Sequence, residues 1–527
     1  MANNPLKQLA GETAVYGLST ILARIINFLF VPFYTRLLTT ANYGVVTEFM
    51  AYIAVLQVVL TMGLETGCFR FANKEGAQPN RVYSSALAMV SGVSLGFFAL
   101  MVVFAEPLAH LLGYDGYGSC MAYMGGILAL DSITAILFAK LRQEHRAVKF
   151  AVFKTLKILV ETGANILLFF PFVSLCSRRA AALGVDVSAL TPSDVWLLHF
   201  VSPTPDFSYV IFAILLSCIV CALLFIPDLV RLNFEFDGKL LRRMLVYSLP
   251  LMVAALPGIV NDFLDRILFR FLDTNAEQWQ SSLGIFQAAV KLAVIMNLFI
   301  QMFRFAAEPF FFQRAKDKGS KELYARVMEL FTAFCALVFL GVIFYIDIIS
   351  LLLGRDFRSG VGVVPIMLFS YMVLGMLFNV SMWYKLSGKT NMAIWITSAG
   401  LFVTLVVNLV FMPKYSYWAA AFGHLASYVV MFILSAVLGQ KYWPVPYRWG
   451  RILGTLALMF LFYGLATLAD THLFHFAGWD TDRHLLWWKL GVHTVLLLGY
   501  LLSAWALLRK GIAPGAGDGS DVGAVRQ

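Results

Sequence analysis

The chain has 527 residues, of which 60% are hydrophobic and only 13% charged, with a mean hydropathy of +0.78. A soluble domain carries about 25% charged residues and rarely passes 50% apolar, so a globule of this composition would lack polar surface to cover itself. A soluble protein is excluded, and an all-α polytopic membrane protein is predicted.

The stretch before the first span carries Lys7 and no small-residue cleavage site, so the first span reads as retained rather than as a signal peptide. A bilayer core about 30 Å thick asks for roughly 20 apolar residues per helix. Spans are predicted at 15–34, 45–64, 82–104, 119–139, 148–173, 207–227, 243–264 and 283–303. Six more fall at 325–346, 361–384, 392–412, 417–438, 450–470 and 486–508, fourteen in all. Pro250, Pro257 and Asp262 interrupt the seventh. The longest stretch outside the membrane, 174–206, is too short to bury a core of its own and is expected to be a cap or an ordered loop. The tail 511–527 reads as disordered.

The basic residues test this map. Loops on the N-terminal side hold 26 Lys and Arg residues, opposite loops hold nine, and five fall within spans. Such a bias is what retention of cationic loops in the cytoplasm produces, so both termini are predicted to be cytoplasmic. The net charge of +10 is thereby explained without a nucleic-acid partner.

The six cysteines (Cys68, Cys120, Cys176, Cys218, Cys221, Cys335) show no ligand spacing, and no histidine motif exists. No metal or cofactor is expected. The phosphate-loop pattern GxxxxGK[ST] is absent, so ATP hydrolysis by this chain is excluded. No catalytic constellation stands out, and the chain does not read as an enzyme. Active transport would draw on an H⁺ or Na⁺ gradient, or on the substrate's own.

Charges inside spans are costly, about 2.5–3.5 kcal/mol each near the bilayer centre, and call for a reason. Arg24 lies about 15 Å into the first span, with Asn27 one turn on. Either it pairs with a carboxylate, or it faces a cavity and attracts an anion. Lys154, Lys157 and Glu161 share one face of the fifth span. Either Lys157 and Glu161 neutralise each other while Lys154 reaches for the surface, or the three form a polar stripe on a wet wall. Asp131 is a possible partner for Arg24 or a carrier of a coupling proton, and Lys291 is isolated in the apolar eighth span. Glu48 lies near an external end, and Glu65 with Arg70 is expected as a contact at the cytoplasmic rim. Asp262, Asp265, Arg266 and Arg270 cluster at the external end of the seventh span. Arg304 and Glu308 are expected as a helix-surface pair. Four interior cations (Arg24, Lys154, Lys157, Lys291) against two carboxylates (Asp131, Glu161) would select anionic cargo, and arginine suits phosphate oxygens.

The opening stretch Leu18-Ser19, Arg24-Ile25-Ile26-Asn27-Phe28, Pro32-Phe33-Tyr34-Thr35-Arg36-Leu37-Leu38 and Tyr43-Gly44 resembles the start of bacterial polysaccharide biosynthesis flippases. These belong to the multidrug/oligosaccharidyl-lipid/polysaccharide exporter superfamily. Gly63-Leu64 with Arg70-Phe71, and Tyr247-Ser248-Leu249-Pro250 with Asp265-Arg266, resemble further segments of that family.

The resemblance implies two six-helix lobes around a V-shaped cleft, here residues 1–227 and 228–440, followed by two extra helices within 441–510. It also implies export of polyprenyl-diphosphate-linked glycan for surface polysaccharide such as O-antigen or capsule; alternating access is the expected mechanism, with Pro250 and Pro257 as bend points. The setting implied is a bacterial cytoplasmic membrane. The chain would act as a monomer among membrane lipids, with a polysaccharide polymerase and glycosyltransferases as possible partners. Arg24 is the position that carries over as a diphosphate contact. Asn27, Lys154, Lys157 and Lys291 are substrate candidates by depth and face alone. Alternatives are a murein-precursor flippase, whose extra C-terminal helices form a lipid groove, and a cation-coupled multidrug or small-molecule antiporter.

Overall fold

The computed structural model describes residues 17, 21–73, 78–275, 277–314, 319–474 and 483–509. Residues 21–29 are helical and lead into α1 (Val31–Leu37). Then follow α2 (Thr40–Thr61), α3 (Leu64–Ala72), α4 (Pro79–Val103), α5 (Gly118–Gln143), α6 (Ala147–Leu167) and α7 (Phe207–Leu224). The chain continues through α8 (Gly238–Leu272), α9 (Trp279–Arg314), α10 (Ser320–Phe344), α11 (Val364–Val380), α12 (Asn391–Tyr415) and α13 (Tyr417–Tyr442). It ends with α14 (Trp449–Ala469) and α15 (Arg483–Arg509). Among the described residues 13 helices are long and apolar enough to cross a membrane. They coincide with the second to fourteenth expected spans. Most of the basic residues expected on the cytoplasmic side lie at one end of these helices, here the basic end. Residues 15, 16 and 18–20 of the first expected span and the tail 511–527 lie outside the described residues.

Caps fix several helix starts. Thr39 Oγ1 accepts from Asn42 N at 3.2 Å before α2, and Asp206 Oδ1 from Ser208 N at 2.9 Å before α7. Asp237 Oδ1 accepts from Lys239 N and Leu240 N at 2.9 and 3.0 Å before α8. Each satisfies backbone donors that the first turn leaves free. The stretch beyond α6 is partly helical (Val173–Leu183). It is pinned to the neighbouring helices where Tyr123 Oη donates to Phe200 O at 2.8 Å and Tyr209 Oη to Ser202 O at 2.9 Å.

Helices α3 to α7 pack chiefly on one another, α11 to α13 form a second group, and α14 and α15 pack on each other and on α10, while α2 of the first group and α9 of the second pack most extensively on each other. Helix α8 serves both groups. Its first half approaches α3 at Ser248, where a Cβ on Gly63 would stand 2.7 Å from Ser248 O and one on Gly67 2.2 Å from Ser248 Oγ. Gly63 also has φ 66°, a left-handed conformation that glycine adopts without strain. The second half of α8 lies on α12, with Asn261 Oδ1 accepting from Thr404 Oγ1 at 2.6 Å. Pro250 and Pro257 fall between these attachments, inside one continuous helix. Neither supplies a backbone N–H, so the helix is weakest where it passes between the groups.

Candidate functional site

The two groups meet tightly at the end opposite the basic one. Helices α2 and α9 cross there so closely that a Cβ on Gly44 would sit 1.9 Å from Gln280 O, and one on Gly284 1.9 Å from Thr40 O. Only a hydrogen at both positions allows this backbone contact. A second contact brings Gly354 N to donate to Thr35 Oγ1 at 3.0 Å. A third is electrostatic. Arg270, near the end of α8, donates through Nε to Glu48 Oε1 at 2.7 Å and through Nη2 to Glu48 Oε2 at 2.8 Å. Glu48 is 0% exposed and also accepts from Tyr52 Oη at 2.9 Å and from Tyr114 Oη. The guanidinium is flanked by the rings of Trp279 and Tyr114 at 4.5 and 4.9 Å. This is the closed end.

Away from the closed end, basic side chains from both groups come together. Lys291 sits 12 residues into α9, about 18 Å along its axis. It is half-buried and lies within electrostatic reach of Arg266 and Arg24. Arg24, whose side chain is exposed, lies in turn within reach of Arg304. None of Arg24, Lys154, Lys291 and Arg266 makes an ion pair within 4 Å among the described residues. Arg304 stands 3.6 Å from Glu308, as expected, and Lys385 donates to the same carboxylate at 2.7 Å. Asn27 is exposed on the opening helix.

The face of α6 resolves differently from either sequence reading. Lys157 Nζ binds Asp131 Oδ1 at 2.5 Å, with the two side chains only 17% and 18% exposed. Asp131 is therefore the partner of Lys157, not of Arg24, and Lys157 is neutralised across helices rather than along its own. The cause is packing: α5 and α6 face each other through α7, which adds Cys218 Sγ at 3.4 Å from the same oxygen. Lys154 stacks its ammonium over the Phe138 ring at 4.4 Å. Glu161 stays partly accessible and within electrostatic reach of Tyr34 and Lys157. The expected Glu65–Arg70 contact is replaced: Glu65 meets Arg142 at 3.4 Å, while Arg70 lies over the Tyr247 ring at 4.0 Å.

A further polar cluster lies between α8, α12 and α13. Tyr428 Oη donates to Asp262 Oδ1 at 2.9 Å, His424 Nε2 stands 3.4 Å from Asp265 Oδ2, and Ser427 Oγ donates to Asn261 Oδ1 at 3.1 Å. Asp265 is fully buried, whereas Asp262 is accessible although deep in the protein.

Comparison with known proteins places this architecture. Residues 9–193 match the family model described as polysaccharide biosynthesis protein. Over 472 residues the chain is 19% identical to the "Probable low-salt glycan biosynthesis flippase Agl15" of Haloferax volcanii, covering 88% of this chain and 91% of that one. A solved structure of the lipid II flippase MurJ in an inward closed conformation superposes with a TM-score of 0.66 at 14% identity, covering 94% of this chain and 99% of that one. The chain is a polytopic membrane protein that resembles polysaccharide biosynthesis proteins over residues 9–193 and shares the fold of this flippase structure. A MATE transporter in complex with MaD5 is also similar, with a TM-score of 0.50, 14% identity and coverage of 82% and 95%.

The structure brings together more cations than the sequence suggested. Arg266 joins Lys291 and Arg24, and its Nε is buried without a hydrogen-bond partner. The signal was present, since Asp265-Arg266 stands out in the sequence. However, α8 runs on to Leu272, which draws Arg266 about 9 Å inward from the helix end. Tyr371, within reach of Arg266 and Asp262, carried no sequence signal. Among the described residues no three His, Cys, Asp or Glu side chains are grouped to hold a metal ion, and the six cysteines are free and buried.

Proposed function

We propose that this transporter flips a polyprenyl-diphosphate-linked oligosaccharide across the cytoplasmic membrane for surface polysaccharide assembly. One observation carries the reading: Lys291 lies within electrostatic reach of both Arg24 and Arg266, and among the described residues none of the three has a carboxylate partner within 4 Å. Cations held this way cost desolvation energy unless an anion completes them. A diphosphate supplies two charges and an array of acceptor oxygens, to which guanidinium groups bind in pairs.

In this proposal residues 1–227 and 228–440 are the two lobes, and 441–510 carry the terminal helix pair. The basic end faces the cytoplasm, so the Glu48–Arg270 contact and the Gly44–Gly284 crossing close the outer end. The diphosphate enters from the basic end and meets Lys291, Arg24 and Arg266. The polyprenyl chain stays in lipid and the glycan occupies the aqueous space. The lobes then rock about α8, whose Pro250 and Pro257 lie between its two attachments, and the outer contact parts. Asn27 adds a neutral polar contact beside Arg24. Lys154 keeps the approach cationic, while Lys157 is held by Asp131 as part of the scaffold. An H⁺ or Na⁺ gradient resets the cycle. Glu161 and Asp262, both accessible and without an ion pair within 4 Å among the described residues, are the carboxylates placed to respond to it.

Depletion of the protein, followed by analysis of polyprenyl-linked intermediates, tests the substrate. Accumulation of an oligosaccharide-bearing diphosphate lipid on the cytoplasmic face is the expected outcome. Accumulation of murein precursor with normal surface polysaccharide would overturn it.

A further inference from the structure

At the basic end, three arginines converge on one buried carboxylate. Glu329 on α10 is 1% exposed. Arg326 Nη1 approaches its Oε2 at 2.8 Å, Arg451 Nη1 the same oxygen at 3.5 Å, and Arg448 Nε its Oε1 at 3.7 Å. Arg326 also donates to Leu508 O at 3.5 Å, in the last turn of α15. The group thus ties α10, α14 and α15 together, but one carboxylate neutralises only one of three guanidinium groups.

The surplus charge sits where a helix does not favour it. Arg448 is the N-cap residue of α14 and Arg451 lies in its first turn, with no side chain capping that start. The N-terminus of a helix carries partial positive charge and free N–H donors, so cations there are disfavoured and anions are favoured. Arg448 is half exposed, 51% at its side chain, and available to a ligand. Tyr447, Trp449 and Trp443 lie beside this start. Aromatic rings of this kind concentrate at the level of lipid headgroups.

We infer that Arg448 and Arg451, at the start of α14, form a binding site for the phosphate of an anionic phospholipid, separate from the transported substrate. The phosphate takes the charge that Glu329 leaves over, and the lipid fastens the terminal helix pair to α10. The site depends on the membrane level of α14 and not on the identity of the cargo.

The test uses the full chain in detergent, with thermal unfolding followed as phosphatidylglycerol, phosphatidylcholine or inorganic phosphate is added. Phosphatidylglycerol is expected to raise the unfolding midpoint, while phosphatidylcholine and inorganic phosphate leave it unchanged. Arg448→Gln leaves Glu329 two arginines, so it should fold, and it should weaken the phosphatidylglycerol half-saturation about fivefold. Arg243→Gln, an exposed cation elsewhere at the basic end, should not. An equal response to phosphatidylcholine, or equal weakening by Arg243→Gln and Arg448→Gln, would overturn the site. A full shift with inorganic phosphate alone would overturn the lipid assignment in favour of a free anion.

Discussion

The Arg270→Ala variant separates a latch between the helix groups from a mere structural staple. Glu48, on α2, is 0% exposed and takes two hydrogen bonds from Arg270, which lies on the half of α8 that packs on α12 of the other group. Removing one partner of a buried ion pair costs about 3–5 kcal/mol. Glu48 keeps Tyr52 and Tyr114 as donors, which places the loss near the lower end, about 3 kcal/mol. The contact can exist only while the two groups meet at this end, so the loss falls on the closed arrangement. About 3 kcal/mol corresponds to a shift of roughly 150-fold toward the open one. A cysteine at Ser281, whose Oγ accepts from Thr40 Oγ1 at 3.2 Å across the crossing, reports the opening. The six native cysteines are buried and give little background. Labelling of Ser281→Cys by a membrane-impermeant maleimide should accelerate by one to two orders of magnitude in the Arg270→Ala background. An unchanged rate with a lowered unfolding midpoint would show a staple and refute the latch.

Three other outcomes follow from the same geometry. Gly44→Ala places a methyl group 1.9 Å from Gln280 O, so the same reporter should label faster; wild-type labelling would mean that α2 and α9 do not need this approach. Lys157→Met alone should lower stability by about 3–5 kcal/mol by stranding Asp131, whereas Lys157→Met with Asp131→Leu should recover most of it. Thermal unfolding that finds the double variant as unstable as the single one contradicts a scaffold role for the pair. Asp237 is held below the usual carboxylate range by the backbone N–H of Leu240 and then of Lys239. Its contribution is therefore full above about pH 4 and fades as pH falls through its lowered folded value. The difference in unfolding midpoint between the wild type and Asp237→Ala should shrink on acidification, and a difference constant down to pH 2 would rule out the cap.

The membrane spans were readable because bilayer thickness demands about 20 apolar residues whatever the partners. That constraint located even α8, with its two internal prolines. Lys291 could be singled out because an isolated cation in an apolar run has few local explanations. Partners were harder. Asp131 and Lys157 are 26 residues apart and meet only because α5, α6 and α7 pack together. Glu48 and Arg270, 222 residues apart, carry no local sign of each other. Gly44 and Gly284 open corresponding spans, and only the crossing of α2 with α9 shows why each must lack a side chain. Arg266 was misjudged through a helix boundary: two further turns of α8 moved it from the rim to the interior.

The central claim is that unpaired interior cations bind the diphosphate of the cargo. It is tested most directly in proteoliposomes, by measuring translocation of a polyprenyl-diphosphate oligosaccharide by the wild type and by Arg24→Ala with Lys291→Ala. Charge-assisted hydrogen bonds of about 1.5–3 kcal/mol each predict at least a hundredfold loss of transport, at unchanged protein abundance and unfolding midpoint. Wild-type translocation by the double variant would contradict the account.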